Sequence, residues 1–424
     1  GEWSDDTQMA LCIARVSASG VDLRTPDALD QVAAAFEEWF ESGASDVGLQ
    51  TRSVLRAAAG MTGRPAERLA RAAAAYGDRR GPRTGNGALM RTSVVGLTAL
   101  GDRDATAETA RTVASLTHAD PLAGDACVLW SEAVRVAVTA GRLDLLSGLD
   151  LLPAERREQW WAWIDVAERA DARDLRDNGG TVVALQAAWH AIRATPVPAE
   201  DREKGSFACG HLQDALGAAV HIGGDTDTVA AIAGGLLGAY WGATAVPAAW
   251  RRVVHGWPGL RARDLAALGI LTARRGRSDN RGWPAVDRMS YPWVPGGAGV
   301  THPVDDGVVL GTVATIDHGC DAVVSLCQRG TAEVPHPGVE PGDHVEVWLM
   351  DSEDPADNPN LDFVLADTAS VIAELRAEGR RVLLHCVAAE QRTPTVAVAY
   401  AHHRGVGRAV AARAVRDALP STRG

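Results

Sequence analysis

Two acid-rich strings lie far apart in this chain: Trp3-Ser4-Asp5-Asp6-Thr7-Gln8 and Gly223-Gly224-Asp225-Thr226-Asp227-Thr228. Each stands just before an apolar helical pattern. Ser4 is placed to cap its helix, with Asp5 and Asp6 in the first turn, where carboxylates favour the helix dipole. Capping alone would explain the first string, but the second changes the reading. Acids two residues apart do not share a helix face, so Asp225 and Asp227 converge only from a turn. The glycines before them let the backbone fold closely round an ion. Two helix N-termini rich in carboxylate and hydroxyl oxygens would form a cage for a hard cation such as Mg²⁺ or Mn²⁺.

A third string does different chemistry. Residues 381–395 read Arg-Val-Leu-Leu-His-Cys-Val-Ala-Ala-Glu-Gln-Arg-Thr-Pro-Thr. An apolar strand ends at His385, Cys386 follows, and Arg392 comes six residues later at the start of a predicted helix. A short loop between strand and helix can turn successive N–H groups inward as an anion cradle, here Val387, Ala388, Ala389, Glu390, Gln391 and Arg392. The same field favours a nucleophilic thiolate at Cys386. Arg392 would hold phosphate oxygens bidentately. After the string VEVWLM, Asp351 and Asp354 compete for the general acid, and Asp351 is favoured because it directly follows the strand.

The elements that must position these groups divide the chain. From residue 1 to about 273 alanine is abundant and apolar residues recur at spacings of three and four, as in Val229, Ile232, Ala233, Leu236, Leu237 and Tyr240. That pattern predicts one all-α domain over 1–273. Residues 274–300 are rich in Arg, Gly and Pro without periodicity and read as a linker or wrapping arm. Short apolar strands follow at 307–316, 322–327, 344–350 and 381–385, with a helix at 361–378 between the last two. They predict a small α/β domain over 301–424.

The acid-rich strings belong to a wider resemblance. SDDTQMALCIA, TGNGALMRTSVVGL (84–97), SLTHADP (115–121), GGDTDTVAAIAGGLLGAYWG (223–242) and HGWPGLRARDL (255–265) resemble the ADP-ribosylglycohydrolase family, in family order over some 265 residues. The resemblance implies that Ser4, Asp5, Asp6, Asp225, Asp227 and Thr228 ligate two metal ions, Mg²⁺ or Mn²⁺. These would place ribose hydroxyls and water beside the anomeric carbon for cleavage of an N-glycosidic bond. Family members usually begin some tens of residues earlier, with a Gly-Asp-Ala-x-Gly type helix; either the sequence is a fragment or this branch manages without that segment. Asn86, Met90 and Arg91 either line the ligand cleft or shape the 84–87 turn, and His118 is either structural or a substrate contact. The tryptophans, such as Trp160, Trp161 and Trp163, read as helix packing, with one available to stack on adenine.

The string His-Cys-x5-Arg-Thr resembles the signature of protein tyrosine and dual-specificity phosphatases, over residues 304–418. Ala389 stands where many members of that group have Gly. Together the resemblances imply a multidomain fold, an all-α ADP-ribosylglycohydrolase-like domain followed by a small α/β cysteine-phosphatase domain. The implied function is bifunctional hydrolysis. One half would remove ADP-ribose from a protein side chain or small ADP-ribosyl compound, and the other would act on a phosphorylated substrate. A second reading takes the helical half as an ADP-ribose-binding sensor coupled to an active phosphatase.

Composition limits the alternatives. The 424 residues carry a formal charge of -12, which argues against nucleic acid as the main partner. Six cysteines without a CxxC pair fit neither a disulfide framework nor a structural zinc site, and a reducing cytoplasm is the expected setting. Cys320 and Cys327 read as buried small hydrophobes. No apolar run is long enough to span a membrane.

Overall fold

The computed structural model describes residues 1–80, 84–316, 319–352 and 354–419. Among the described residues, twelve α-helices frame the N-terminal part. They are α1 (Asp5–Ser17), α2 (Pro26–Glu41), α3 (Leu49–Ala59), α4 (Pro65–Arg80), α5 (Arg103–Ser115), α6 (Pro121–Ala140), α7 (Ala154–Arg169), α8 (Thr181–Ala194), α9 (His211–Ile222), α10 (Thr226–Trp241), α11 (Ala248–Val253) and α12 (Ala262–Ala273). Helix α6 is the hub, packing on α5, α8 and α10. Its sequence permits this because small and apolar residues occupy nearly every face, from Ala123 through Trp130 to Ala137. Pro121 opens it behind an Asp120 cap, and Gly141, at φ +59°, closes it.

One feature departs from the all-α expectation. Two short strands, β1 (His255–Gly256) and β2 (Leu260–Arg261), pair antiparallel round the Trp257-Pro258-Gly259 turn. The backbone of Gly1, Glu2 and Trp3 pairs with His255, so the chain start is held beside this hairpin. Two-residue strands carry no periodicity for a sequence pattern to reveal.

The C-terminal region holds a mixed five-stranded sheet of order β3-β4-β7-β5-β6. Its strands are β3 (Val300–His302), β4 (Asp305–Thr312), β5 (Ala322–Ser325), β6 (His344–Glu346) and β7 (Val382–Cys386), with helices α13 (Leu361–Ala377), α14 (Arg392–His403) and α15 (Arg408–Ala418). Only β3 runs antiparallel; β7 is central and parallel to both β4 and β5. Val308, Leu310, Val324, Val382 and Leu384 face the main core, while Val309, Val323 and Leu383 form a smaller cluster on the opposite face. That alternation is the two-residue period of a strand, and the near-continuous apolar runs suit a parallel sheet covered on both sides.

Residues 274–299 contain no helix or strand, yet they pack as an arm along the sheet region. Trp283, Met289 and Val294 are buried. The Thr331 and Ala332 amides donate to the carbonyls of Val286 and Asp287. The halves also share one core. Phe207 meets Phe363 edge-on at 5.7 Å, and Asn360 Nδ2 donates to the Trp241 carbonyl at 2.8 Å. Arg252 pairs with Glu378 at 2.8 Å.

Candidate functional site

The two acid-rich strings, remote in sequence, open on one cleft of about 460 Å³. Asp5 comes from the first turn of α1, Asp225 and Asp227 from the start of α10, and Asn86, Met90 and His118 from the segments between. Ser4 occupies the cap position of α1 but makes no cap bond; its hydroxyl donates to Asp6 Oδ2 instead.

The Asp225 turn is built by glycine and by a residue that sequence reasoning missed. Gly223 and Gly224 take φ of +84° and +79°, and a Cβ on Gly224 would meet the Arg176 carbonyl oxygen at 2.1 Å. Asn178, which is buried, fastens this turn. Its Oδ1 accepts from the Asp225 amide at 2.8 Å and its Nδ2 donates to the Gly223 carbonyl at 2.9 Å. Asn86 Nδ2 then donates to Asp225 Oδ2 at 2.7 Å. In sequence Asn178 sits in Asp-Asn-Gly-Gly, which reads as an ordinary turn; only the unusual burial of an Asn beside two glycines hints at more. Asp46, Gln50 and Tyr76 also line the cleft without having been anticipated. Tyr76 is its aromatic residue, whereas Trp160 and Trp163 stack edge-on away from it.

The carboxylates repel one another. Burial first, then Asp6 and the other acids, pushes Asp5 up to about 7. Burial likewise lifts Asp6 to about 6, against hydrogen bonds from Ser4 and Thr228, with Asp227 and Asp225 adding to the rise. Asp6 Oδ1 is buried without a hydrogen-bond partner. Crowded carboxylates with an orphaned oxygen and flanking hydroxyls are the donor set a hard cation requires. Among the described residues no group of three or more His, Cys, Asp or Glu side chains stands ready to hold a metal ion. The hydroxyls of Ser4 and Thr228 would therefore have to complete the set.

Arg91 lies beneath the cleft rather than in it. Its guanidinium is buried over the Phe36 ring at 4.4 Å and donates to Thr117 Oγ1 at 2.7 Å. Thr117 Oγ1 is in turn 2.8 Å from His118 Nδ1. Burial, helped by Arg91, pushes His118 down to about 3, so the ring is neutral. The floor of the cleft thus holds a neutral imidazole.

In the sheet region, β7 delivers Cys386 to the sheet's C-terminal edge, where a loop leads into α14. Cys386 is 2% exposed. Ala389, within the loop, takes φ +57°. Arg392 Nη1 donates to the carbonyls of Leu326 and Leu349 at 3.0 and 3.1 Å, and Nη2 meets Asp351 Oδ2 at 3.1 Å. The guanidinium therefore bridges the ends of β5 and β6 across the loop, and its Nε is buried without a partner. Asp354 is occupied elsewhere, accepting from the Ala356 amide at 2.9 Å.

Behind the loop runs a polar chain whose proton order can be assigned. The His336 amide donates to His344 Nδ1 at 2.9 Å, so His344 Nε2 bears the proton and donates to Ser325 Oγ at 2.8 Å. Ser325 then donates to His385 Nε2 at 2.7 Å, leaving the His385 Nδ1 proton for the Cys386 carbonyl at 3.3 Å. Burial holds His344 well below the usual histidine range, so that ring is neutral. It fixes the backbone at the residue that begins the loop.

The helical fold and the carboxylate cleft define the class: a model of the ADP-ribosylglycohydrolase family matches residues 1–280, and the chain belongs to that family. Similar proteins include ADP-ribosylarginine hydrolase Tri1 of Pseudomonas putida (strain GB-1). It is 28% identical over 267 residues, covering 59% of this chain and 62% of that protein. ADP-ribosylhydrolase ARH3 of Homo sapiens is 27% identical over 198 residues, covering 41% and 54%. The chain thus spans between about half and three fifths of the length of these relatives. A solved chain titled "ADP-ribosylglycohydrolase-related protein complex" is 24% identical, with a TM-score of 0.45 over 65% of this chain and 82% of that one. Among the described residues no helix is long and apolar enough to cross a membrane.

Proposed function

We propose that the helical half hydrolyses the bond between ADP-ribose and a protein side chain or small ADP-ribosyl compound, the arginine adduct in the name of the Pseudomonas relative being the first to try. The observation that carries this reading is the gathering of Asp5, Asp225 and Asp227 with Asn86 and His118 on one cleft. Ser4, Asp5, Asp6, Asp225, Asp227 and Thr228 would hold two Mg²⁺ ions, which when bound supply orientation of the ribose hydroxyls and of a water. The chain's own groups do the rest. The carboxylates offset the positive charge that grows at the anomeric carbon as the leaving nitrogen departs. Asn86 and Asn178 keep Asp225 pointed at that charge, and His118 presents a neutral ring to the substrate from the floor. The experiment is release of free ADP-ribose from ADP-ribosylarginine; tight ADP-ribose binding without release would favour a sensor instead.

The reading extends to a second activity, hydrolysis of a phosphate monoester at the Cys386 loop. Three features support it: the strand–loop–helix placement, the bridging Arg392 with its unpartnered Nε, and Asp351 at its side. The Cys386 thiolate would attack phosphorus, forming an S–P bond as the P–O bond to the leaving group breaks. Asp351 gives its proton to that oxygen, and water then cleaves the S–P bond to release inorganic phosphate. Turnover of a chromogenic aryl phosphate, lost in Cys386→Ser, is the test.

A further inference from the structure

A second cavity, of about 320 Å³, lies where α11 and α12 meet the edge strand β6. Four arginines line it, Arg251, Arg252, Arg261 and Arg263, against two carboxylates, Asp264 and Glu346. The lining itself is richer in arginine than in carboxylate, although the chain as a whole carries -12. Two of the arginines are accounted for. Arg263 Nε sits 2.6 Å from Glu346 Oε2, and Arg252 is bracketed by Asp343 and Glu378 at 3.3 and 2.8 Å. These fasten the two halves together.

The other two are less closely matched. Arg251 spends its N–H groups on the carbonyls of Glu346 and Val246, at 2.6 and 3.1 Å. Its ion-pair partner, Asp367, stands at 3.9 Å and also accepts from the Ala248 amide. Arg261 pairs with no carboxylate among the described residues. Asp264 does not offset it, since that carboxylate accepts from the Arg261 amide at 2.9 Å as the start of α12 is closed. Burial pulls the Arg251 guanidinium below its usual value. A largely buried cation beside a cavity, without a full counter-charge, is costly unless something anionic completes it. The first turn of α12 lies on the same wall, and its dipole adds to the attraction for an anion. The volume falls within the usual range for small-ligand sites, roughly 300–1,000 Å³.

We propose that this junction cavity binds a small phosphorylated ligand, whose phosphate or diphosphate group is held by Arg251, Arg261 and the first turn of α12. The site is separate from both clefts described above. Its walls come from both halves, so the ligand would fasten the helical part to the sheet.

The test is calorimetric titration of inorganic pyrophosphate, without divalent metal, into the full chain carrying Arg392→Ala. That change removes the guanidinium of the cysteine loop as a competing anion site. One saturable site is expected, weakening as salt is raised. Adding Arg261→Glu should lower affinity by roughly tenfold or more, the scale of one charge-assisted contact, and Arg261→Lys by less. Thermal unfolding confirms that each variant is folded, and Arg261→Gln replaces the reversal should that unfold the chain. Absence of binding in the Arg392→Ala chain would overturn the proposal, as would an affinity indifferent to Arg261.

Discussion

Ala389 holds a left-handed backbone at φ +57° in the middle of the cysteine loop. A Cβ in that region costs about 1–2 kcal/mol, so Ala389→Gly should raise Tm by roughly 1–3 °C. A fall in Tm would mean that the loop adopts another conformation. Cysteine chemistry gives a second prediction at this scale. Burial pushes Cys12, Cys127 and Cys327 up to about 12 and Cys209 up to about 11, and it raises Cys320 as well. All five should therefore be sluggish toward iodoacetamide near pH 7, whereas Cys386 should be labelled first and be protected by vanadate. Labelling led by the half-buried Cys320, with no protection by vanadate, would make the loop structural only. The candidate residues at this scale were readable because carboxylates, glycines and a Cys-x5-Arg spacing keep their chemistry wherever the chain goes. Asn178 was not, because its role depends on burial against a turn some 45 residues away.

Elements explain why these residues hold still. The Gly223–Asp225 turn is tied to the segment before α8 through Asn178, while Asn86 holds the Asp225 carboxylate, so removing the Asn178 tie should act on catalysis through Asp225. Asn178→Ala should destabilise the fold by about 1–3 kcal/mol, the cost of stranding buried backbone groups. It should also slow ADP-ribose release by roughly 10–100-fold, as loss of a positioning contact does at metal sites. Unchanged release in a folded Asn178→Ala protein would remove the residue from the account. In the sheet region Asp305, at the start of β4, receives Tyr400 Oη from α14 at 2.7 Å and Arg376 from α13 at 3.1 Å. Burial alone would raise its proton affinity, but these hydrogen bonds outweigh it and hold the carboxyl below its usual value. A depressed carboxyl stabilises the fold above its unfolded pKa and loses that contribution as pH falls through the folded one. Asp305→Asn should therefore lower Tm more at pH 7 than below the ordinary carboxyl pKa, and the loss should shrink steadily as pH falls; an equal loss across that range would refute the linkage. The strands β4, β5, β6 and β7 were legible as β-branched apolar runs. Their pairing order, with β7 inserted between β4 and β5, was not, since parallel neighbours are set by long-range packing. The short β1, β2 and β3 left too few residues for a pattern.

At the scale of the whole molecule, the arm of residues 274–299 and the arginine contacts of α11 and α12 join the helical part and the sheet region into one packed body. Composition shift marked where the helical pattern stops, but it could not reveal that both halves would share a core through Phe207, Phe363 and Asn360. Shared packing predicts coupled unfolding without coupled chemistry. Cys386→Ser should abolish phosphate release and leave ADP-ribose release unchanged, while heat should unfold both halves in a single transition. Loss of both activities in the folded variant would deny that the sites are separate. The central claim is that Asp225 and its partners form a hydrolytic centre for ADP-ribosyl groups. The most direct measurement is the rate of ADP-ribose release from ADP-ribosylarginine in the presence of Mg²⁺, comparing the natural chain with Asp225→Ala. The account predicts measurable release by the natural chain and a drop of roughly a hundredfold or more in the variant, with secondary structure intact. Equal release by both, or none by the natural chain on any ADP-ribosylated protein or small compound, would contradict it.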